Sequence, residues 1–332
     1  MNIFKNRKII IITIIVIGVI IVAGYGIFRF FNERNQGEVN HIDHFTKSST
    51  VSEVMNNASF KGFGNLIFPV DRSFSPNTRL DDIDDIYIWY NYIDDDTTVE
   101  IVNYMKDEAD SGNHIFYPIY SEEEMREDPS KRNTGLFFFR GEENAKTAFV
   151  NAGGGFMYVG AMQDSFPHAL ALSKMGYNAF ALIYRPDADL AMEDLARAIA
   201  YVHEHSEELK VNISDYSVWG GSAGGRMTAW IGNYGTEAFG EKEYPRPATV
   251  VIQYTGLNEV TGEEPPTYSC VGTADGIANY RIMEDRINRI KQNGTDAEIE
   301  VFEGLPHGFG LGIGTKAEGW INNAVKFWEN HM

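Results

Sequence analysis

Short apolar runs alternate with longer amphipathic segments over the second half of the chain. The apolar runs predict strands, and the amphipathic segments predict helices. Between residues 190 and 205, for example, Leu195, Ile199 and Val202 recur at helical spacing among charged residues. This alternation is typical of βαβ units, so we expect an α/β fold with a mainly parallel central sheet and helices on both faces. The predicted strands are 147–152, 179–184, 216–219, 249–254, 268–272 and 298–302, and the predicted helices are 190–205, 282–292 and 320–328.

A different pattern stands near the start, where twenty uncharged and mostly apolar residues lie between Lys8 and Arg29. A helix of this length spans about 30 Å, the thickness of the bilayer hydrocarbon. The run exceeds the roughly 7–15 apolar residues of a cleaved signal peptide. We therefore expect one transmembrane helix that anchors the chain, with secretion after signal cleavage as the alternative. Because Lys5, Arg7 and Lys8 precede the run, the positive-inside rule predicts a cytoplasmic N-terminus and an extracytoplasmic body at the cell membrane.

Composition divides the chain into four parts. Residues 1–34 hold the cytoplasmic stub and the transmembrane anchor, and residues 35–60 are polar and predict a linker. In residues 61–145, aromatic-rich segments alternate with polar turns. They predict an extension, packed on the main domain, in which strands outnumber helices. Residues 146–332 carry the α/β pattern.

Charge and cysteine content exclude several classes of protein. The chain has 28 Lys and Arg against 47 Asp and Glu, a net charge of −19, and without residues 1–34 the net charge is −23. A nucleic-acid partner is therefore not expected, since phosphate binding needs basic surface. The single cysteine, Cys270, excludes an intramolecular disulfide and a cysteine-rich metal site. The acidic clusters 81–85 and 94–96 lack the calcium-loop spacing and indicate solvated surface.

The sequence Gly220-Gly221-Ser222-Ala223-Gly224 follows an apolar run and precedes residues that favour a helix. A Gly-x-Ser-x-Gly turn between a strand and a helix exposes its serine as a nucleophile. The pentapeptide alone also fits an ordinary glycine loop, but its strand and helix context favours Ser222 as the nucleophile.

A glycine run follows the predicted strand 147–152. Backbone without side chains at Gly153-Gly154-Gly155 can approach a substrate carbonyl and donate N–H groups to its oxyanion. A flexible turn is the alternative for this run. Its place one βαβ unit before Ser222 favours an oxyanion hole formed by Gly154 or Gly155 together with Ala223.

A serine nucleophile needs a histidine base that a carboxylate orients. His307 follows the last predicted strand in a glycine-flanked loop, and Asp275 follows the strand before it. Both would emerge at the same sheet edge as Ser222, and their chain order is the one found in α/β-hydrolases. Asp296 and Glu303 are the alternatives for the acid, although their positions beside the last strand suit the connection less well.

These motifs identify a family resemblance. Together with Gly272-Thr273-Ala274-Asp275 and Pro306-His307-Gly308-Phe309, they resemble the α/β-hydrolase superfamily from about residue 146 to the end. Within it the chain is similar to the esterase and lipase branch, which includes carbohydrate esterases acting on acetyl or feruloyl groups. Many relatives have histidine before the glycine run, where this chain has Ala152, and this departure weakens a lipase assignment more than it weakens catalysis.

The sequence therefore predicts a membrane-anchored serine esterase that acts on short acyl esters or carbohydrate-linked esters. The expected partner is a small-molecule or glycan ester substrate, and the chemistry requires no metal and no organic cofactor. Two alternatives remain: a serine peptidase or acyl-peptide hydrolase of the same fold, and a catalytically silent binding module at the cell surface. The sequence leaves the oligomeric state open.

Overall fold

A central sheet of eight strands organises the molecule. The computed structural model describes residues 44–69, 75–87, 89–90 and 92–332. The strands have the spatial order β1-β2-β4-β3-β5-β6-β7-β8. Their bounds are β1 Phe116–Tyr117, β2 Gly135–Phe139, β3 Lys146–Asn151, β4 Asn178–Ile183, β5 Asn212–Gly221, β6 Thr249–Gln253, β7 Thr267–Gly272 and β8 Ala297–Phe302.

Strands β3 to β8 pair in parallel, whereas β2 is antiparallel to both β1 and β4. Every residue of β2 and β4 is buried. Continuous apolar runs of this kind are typical of strands that are covered on both sides. The mainly parallel sheet expected from the sequence is confirmed.

Nine α-helices flank or connect the strands in the described part of the chain. The longest of them, Ala188–Leu209, is capped by Asp187, whose side chain accepts hydrogen bonds from two backbone N–H groups of the first turn. The helix bounds are α1 Val51–Met55, α2 Asp95–Asp110, α3 Glu122–Glu127, α4 Ala161–Asp164, α5 Phe166–Lys174, α6 Ala188–Leu209, α7 Ala223–Tyr234, α8 Tyr280–Gln292 and α9 Trp320–Glu329.

Three buried tryptophans pack together in the core on one side of the sheet. Trp219 of β5 lies 6.3 Å from Trp320 and 6.5 Å from Trp328, measured between ring centroids. Both partners belong to α9, so the last helix closes one side of the sheet.

The first part of the fold differs from the sequence expectation in its helix content. The expectation that strands outnumber helices in residues 61–145 is wrong for the described residues, because α2 and α3 lie there with only β1 and β2. In α2, Ile101, Val102 and Met105 are buried at helical spacing, and the Asp94 side chain caps the helix by accepting a hydrogen bond from the Thr97 N–H. Asp94 thus has a structural function within the acidic cluster 94–96.

The described end of the predicted linker, residues 44–60, contains α1 and buries Phe45, Val51 and Phe60. The predicted membrane span between residues 8 and 29 lies outside the described residues. Among the residues that are described, no helix is both long and apolar enough to cross a bilayer.

Candidate active site

Ser222 lies at the turn from β5 into α7, at the carboxyl edge of the sheet. Its backbone has φ +52° and ψ −116°, a conformation that residues with a side chain rarely adopt. A strained serine between a strand and a helix is the geometry of a nucleophile turn. The Ser222 N–H donates to the Gln253 carbonyl, and the side chain is partly exposed.

Two hydrogen bonds connect Ser222 to the other predicted residues. His307 Nε2 lies 3.0 Å from Ser222 Oγ, and His307 Nδ1 lies 2.8 Å from Asp275 Oδ2. The structure therefore brings together three residues that are 53 and 32 positions apart along the chain. With the proton on Nδ1, facing the Asp275 carboxylate, Nε2 can accept the serine proton.

The Asp275 carboxylate is fully buried and fixed on both oxygens. Oδ2 faces His307, while Oδ1 accepts the N–H groups of Ile277 at 2.8 Å and Ala278 at 2.6 Å. The two alternative acids are engaged elsewhere, since Asp296 pairs with His331 and Glu303 pairs with Lys316.

The glycine run follows β3 and passes directly beside Ser222. A Cβ on Gly153 would lie 2.9 Å from the Ser222 Cβ, which only glycine avoids. The Gly153 N–H donates to Asp164 Oδ2 at 3.0 Å and so is already occupied. Within the described residues, no acceptor is found for the N–H groups of Gly154 and Gly155.

Ala223 supplies the other predicted N–H group. It is the first residue of α7, so its amide has no acceptor within the helix. The positive end of the helix dipole adds to the field at this point. Ala223 directly follows Ser222 in the chain, and Gly154 and Gly155 follow Gly153, whose backbone lies beside Ser222.

Three further residues at the site were not singled out by their sequence context. Asp164 is buried at the end of α4, and its carboxylate accepts hydrogen bonds from the hydroxyls of Tyr90 and Tyr254. The Tyr254 ring packs edge-on against the His307 ring at 4.9 Å. Tyr254 directly follows β6, and this position at the carboxyl end of a strand is the one sequence signal that could have identified it.

Cys270 is buried in β7. Burial raises the pKa of its thiol well above the ordinary value, which keeps the thiol protonated.

Part of the chain is similar to a known protein family. Residues 140–281 match the BD-FAE family model. A comparison with curated proteins found no match.

Three solved structures illustrate the similarity. The esterase Est2 from Thermogutta terrifontis, with propionate bound, has a TM-score of 0.51 and 20% identity, covering 59% of this chain and 89% of its own. The α/β-hydrolase MGS-M1 from a Medee basin deep-sea metagenome library has a TM-score of 0.53 and 19% identity. The match covers 59% of this chain and 92% of MGS-M1. The acetyl ester-xyloside bifunctional hydrolase from Caldicellulosiruptor lactoaceticus has a TM-score of 0.56 and 20% identity, covering 65% and 95%. The chain therefore has the α/β-hydrolase fold, and its resemblance to the esterase branch of that superfamily is confirmed.

Proposed function

We propose that this protein is a membrane-anchored, extracytoplasmic serine hydrolase that cleaves carboxylic esters. The observation that carries the proposal is the continuous hydrogen-bonded chain from Ser222 Oγ through His307 to Asp275. A histidine held in this way can accept a proton from the serine on one side while a buried carboxylate orients it on the other.

In the first half of the reaction, Ser222 Oγ attacks the ester carbonyl carbon and His307 Nε2 accepts the hydroxyl proton. The carbonyl electron pair moves to its oxygen and forms a tetrahedral oxyanion. When the carbonyl re-forms, the bond to the alcohol oxygen breaks. The alcohol departs with the proton from His307, and the acyl group remains on Ser222.

The second half repeats these steps with water. His307 accepts a proton from water as the water oxygen attacks the acyl carbon, and a second tetrahedral oxyanion forms. Its collapse breaks the bond to Ser222 Oγ, which recovers a proton from His307. The products are the carboxylic acid and the alcohol.

Asp275 and the backbone donors act on the charges that develop in both halves. The Asp275 carboxylate orients the imidazole and stabilises the imidazolium. The N–H groups of Gly154 or Gly155 and of Ala223 would bind the oxyanion. Loss of one such donor typically raises the barrier by about 3 kcal/mol.

Two structural neighbours support an ester substrate. Est2 was solved with propionate bound, and another neighbour is named for acetyl ester hydrolysis. We therefore propose short acyl esters, including those carried by carbohydrates, as the substrate class. The same catalytic groups also cleave amides, so a peptidase of this fold is the alternative to be tested.

The proposal is tested with the full chain purified in detergent. We expect turnover of p-nitrophenyl acetate and p-nitrophenyl butyrate, and at least hundredfold lower kcat/KM on the matched p-nitroanilides. Faster turnover of the anilides would identify a peptidase. A protein that neither hydrolyses these substrates nor reacts with a fluorophosphonate probe would be a binding module.

The proposed location depends on the apolar run between Lys8 and Arg29 and on the basic residues before it. In a bacterial host we expect the full chain in the membrane fraction, with the catalytic part digested when protease is added to spheroplasts. Protection of the whole chain from protease would contradict this orientation.

A further inference from the structure

Asp164 is a buried acid for which the proposed reaction mechanism gives no function. It is the last residue of α4 and only 1% exposed. Three donors converge on its two oxygens: the Tyr90 hydroxyl at 2.8 Å, the Gly153 N–H at 3.0 Å, and the Tyr254 hydroxyl. A set made only of donors suits an ionised carboxylate, which can only accept hydrogen bonds.

Each donor belongs to a different segment of the site. Gly153 begins the glycine run that supplies the proposed oxyanion donors. Tyr254 packs against the His307 ring, and its hydroxyl also accepts the Gly310 N–H at 3.3 Å. Asp164 therefore lies between the glycine run and the loop that carries His307.

Tyr90 extends this arrangement into the first part of the chain. A Cβ on Gly308, the residue after His307, would lie 2.6 Å from Tyr90 Cδ1, so the two residues are in close contact. Gln163, beside Asp164, donates from Nε2 to the carbonyls of Gly308 at 3.0 Å and Tyr92 at 3.2 Å. The last two residues of α4 thus connect the histidine loop to Tyr90 and Tyr92.

Burial raises the pKa of the Asp164 carboxyl above its ordinary value, and the hydrogen bonds from Tyr254, Tyr90 and Gly153, together with nearby His307, offset only part of that rise.

We propose that Asp164 is a positioning residue for the ester hydrolysis proposed above, one that holds the oxyanion donors and the His307 imidazole in a fixed mutual geometry. Through Tyr90, the segment before the α/β domain contributes directly to this geometry. The inference rests on the proposed function, since it assigns Asp164 a part in that reaction.

The test compares Tyr90→Phe, Tyr254→Phe and Asp164→Asn with Tyr216→Phe in the full chain. Tyr216 is also buried, and its hydroxyl donates to the Pro245 carbonyl at 2.8 Å. It therefore controls for the loss of one buried tyrosine hydrogen bond outside the site. Rates on p-nitrophenyl acetate are normalised to the active-site concentration found by fluorophosphonate titration, so that unfolded protein does not count.

We expect kcat to fall about tenfold in Tyr90→Phe and Tyr254→Phe and about a hundredfold in Asp164→Asn. KM should stay within threefold of the wild-type value, and Tyr216→Phe should keep the wild-type kcat. If both phenylalanine variants kept the wild-type kcat, this inference would be overturned. The proposed function would still stand, because the wild type would hydrolyse the ester. An inactive wild type would overturn the proposed function and this inference with it.

The split between kcat and KM separates positioning from simple structural support, because every rate is counted per titrated active site. An equal loss of kcat in Tyr216→Phe would contradict the proposal. If Asp164→Asn does not fold, the phenylalanine variants still decide it.

Discussion

At the scale of single residues, the backbone at Gly154 has no room for a side chain. Its φ is +122°, and an added Cβ would lie 2.1 Å from the Tyr158 carbonyl oxygen. We expect Gly154→Ala to displace the glycine run and to lower kcat on p-nitrophenyl acetate more than tenfold, since small displacements at a reacting centre are costly.

Gly112→Ala is the matched control for this change. Gly112 also has a positive φ, +85°, but an added Cβ would have open space around it. The variant should lose about 1 kcal/mol of unfolding free energy to backbone strain while keeping the wild-type kcat. Equal kcat values in the two variants would mean that the close contact at Gly154 is unimportant for turnover.

His168 predicts a pH dependence of stability. It is 1% exposed in α5 beside Trp320, and burial lowers its pKa to about 4. Between pH 6.5 and 4 the unfolded chain binds a proton that the folded chain excludes, so stability falls as the pH is lowered through this window. The shift corresponds to about 3 kcal/mol.

The measurement is the free energy of unfolding in urea, from pH 7 to pH 4, for the wild type and for His168→Phe. The wild type should lose about 3 kcal/mol more than the variant over this range. Parallel pH curves for the two proteins would contradict this prediction. They would show that His168 binds a proton as readily in the folded protein as in the unfolded chain.

The sequence predicted some residues of the candidate site and not others, for a physical reason. Strand ends and glycine turns mark the positions of Ser222, His307 and Asp275, so these residues could be proposed. In the structure both Ser222 and Asp275 lie within hydrogen-bond distance of His307. Asp164 could not be found, because an acid at the end of a short helix is usually solvated. Its burial depends on Tyr90, 74 positions away.

At the scale of elements, α9 connects the core to the histidine loop. Trp320 Nε1 donates to the Gly310 carbonyl at 3.0 Å, three residues after His307. Trp328 Nε1, also buried, donates to the Asp215 carbonyl at 2.8 Å near the start of β5, away from Ser222. The helix thus contacts both ends of the sheet through two similar side chains.

These two tryptophans form a matched pair for mutation. Trp320→Phe should lower kcat several-fold, because it removes one of two hydrogen bonds to the Gly310 carbonyl, the other coming from Gln253, and so loosens the loop that carries His307. Trp328→Phe removes a comparable hydrogen bond and comparable volume, so it should lower the melting temperature to a similar extent while kcat stays within twofold. A larger kcat loss in Trp328→Phe would contradict this role for α9.

Strands and helices were predictable where the apolar pattern was simple. The six strands predicted after residue 146 are all present, because buried parallel strands are continuous apolar runs. Their ends differ by one residue at most, except that β5 begins four residues earlier and ends two residues later than predicted. In the described part of segment 61–145, the expected excess of strands over helices is wrong. Aromatic residues such as Tyr87 and Tyr90 suggested strands there, but they are buried in irregular chain that packs on the site.

At the scale of the whole molecule, the sheet explains why distant motifs meet. The segments after β3, β5, β7 and β8 reach the same edge, which brings the glycine run, Ser222, Asp275 and His307 together. The packed segment before β3 reaches the same edge through Tyr90. The candidate site therefore depends on most of the described chain, including parts without a sequence motif.

The central claim is that Ser222 is the nucleophile of an ester hydrolase. The most direct measurement compares the wild type with Ser222→Ala for turnover of p-nitrophenyl acetate and for fluorophosphonate labelling, with the labelled peptide identified by mass spectrometry. We predict one label per wild-type chain, located on Ser222, and a loss of at least a thousandfold in kcat together with loss of labelling in Ser222→Ala. Wild-type turnover in Ser222→Ala, or a label on another residue, would contradict the account.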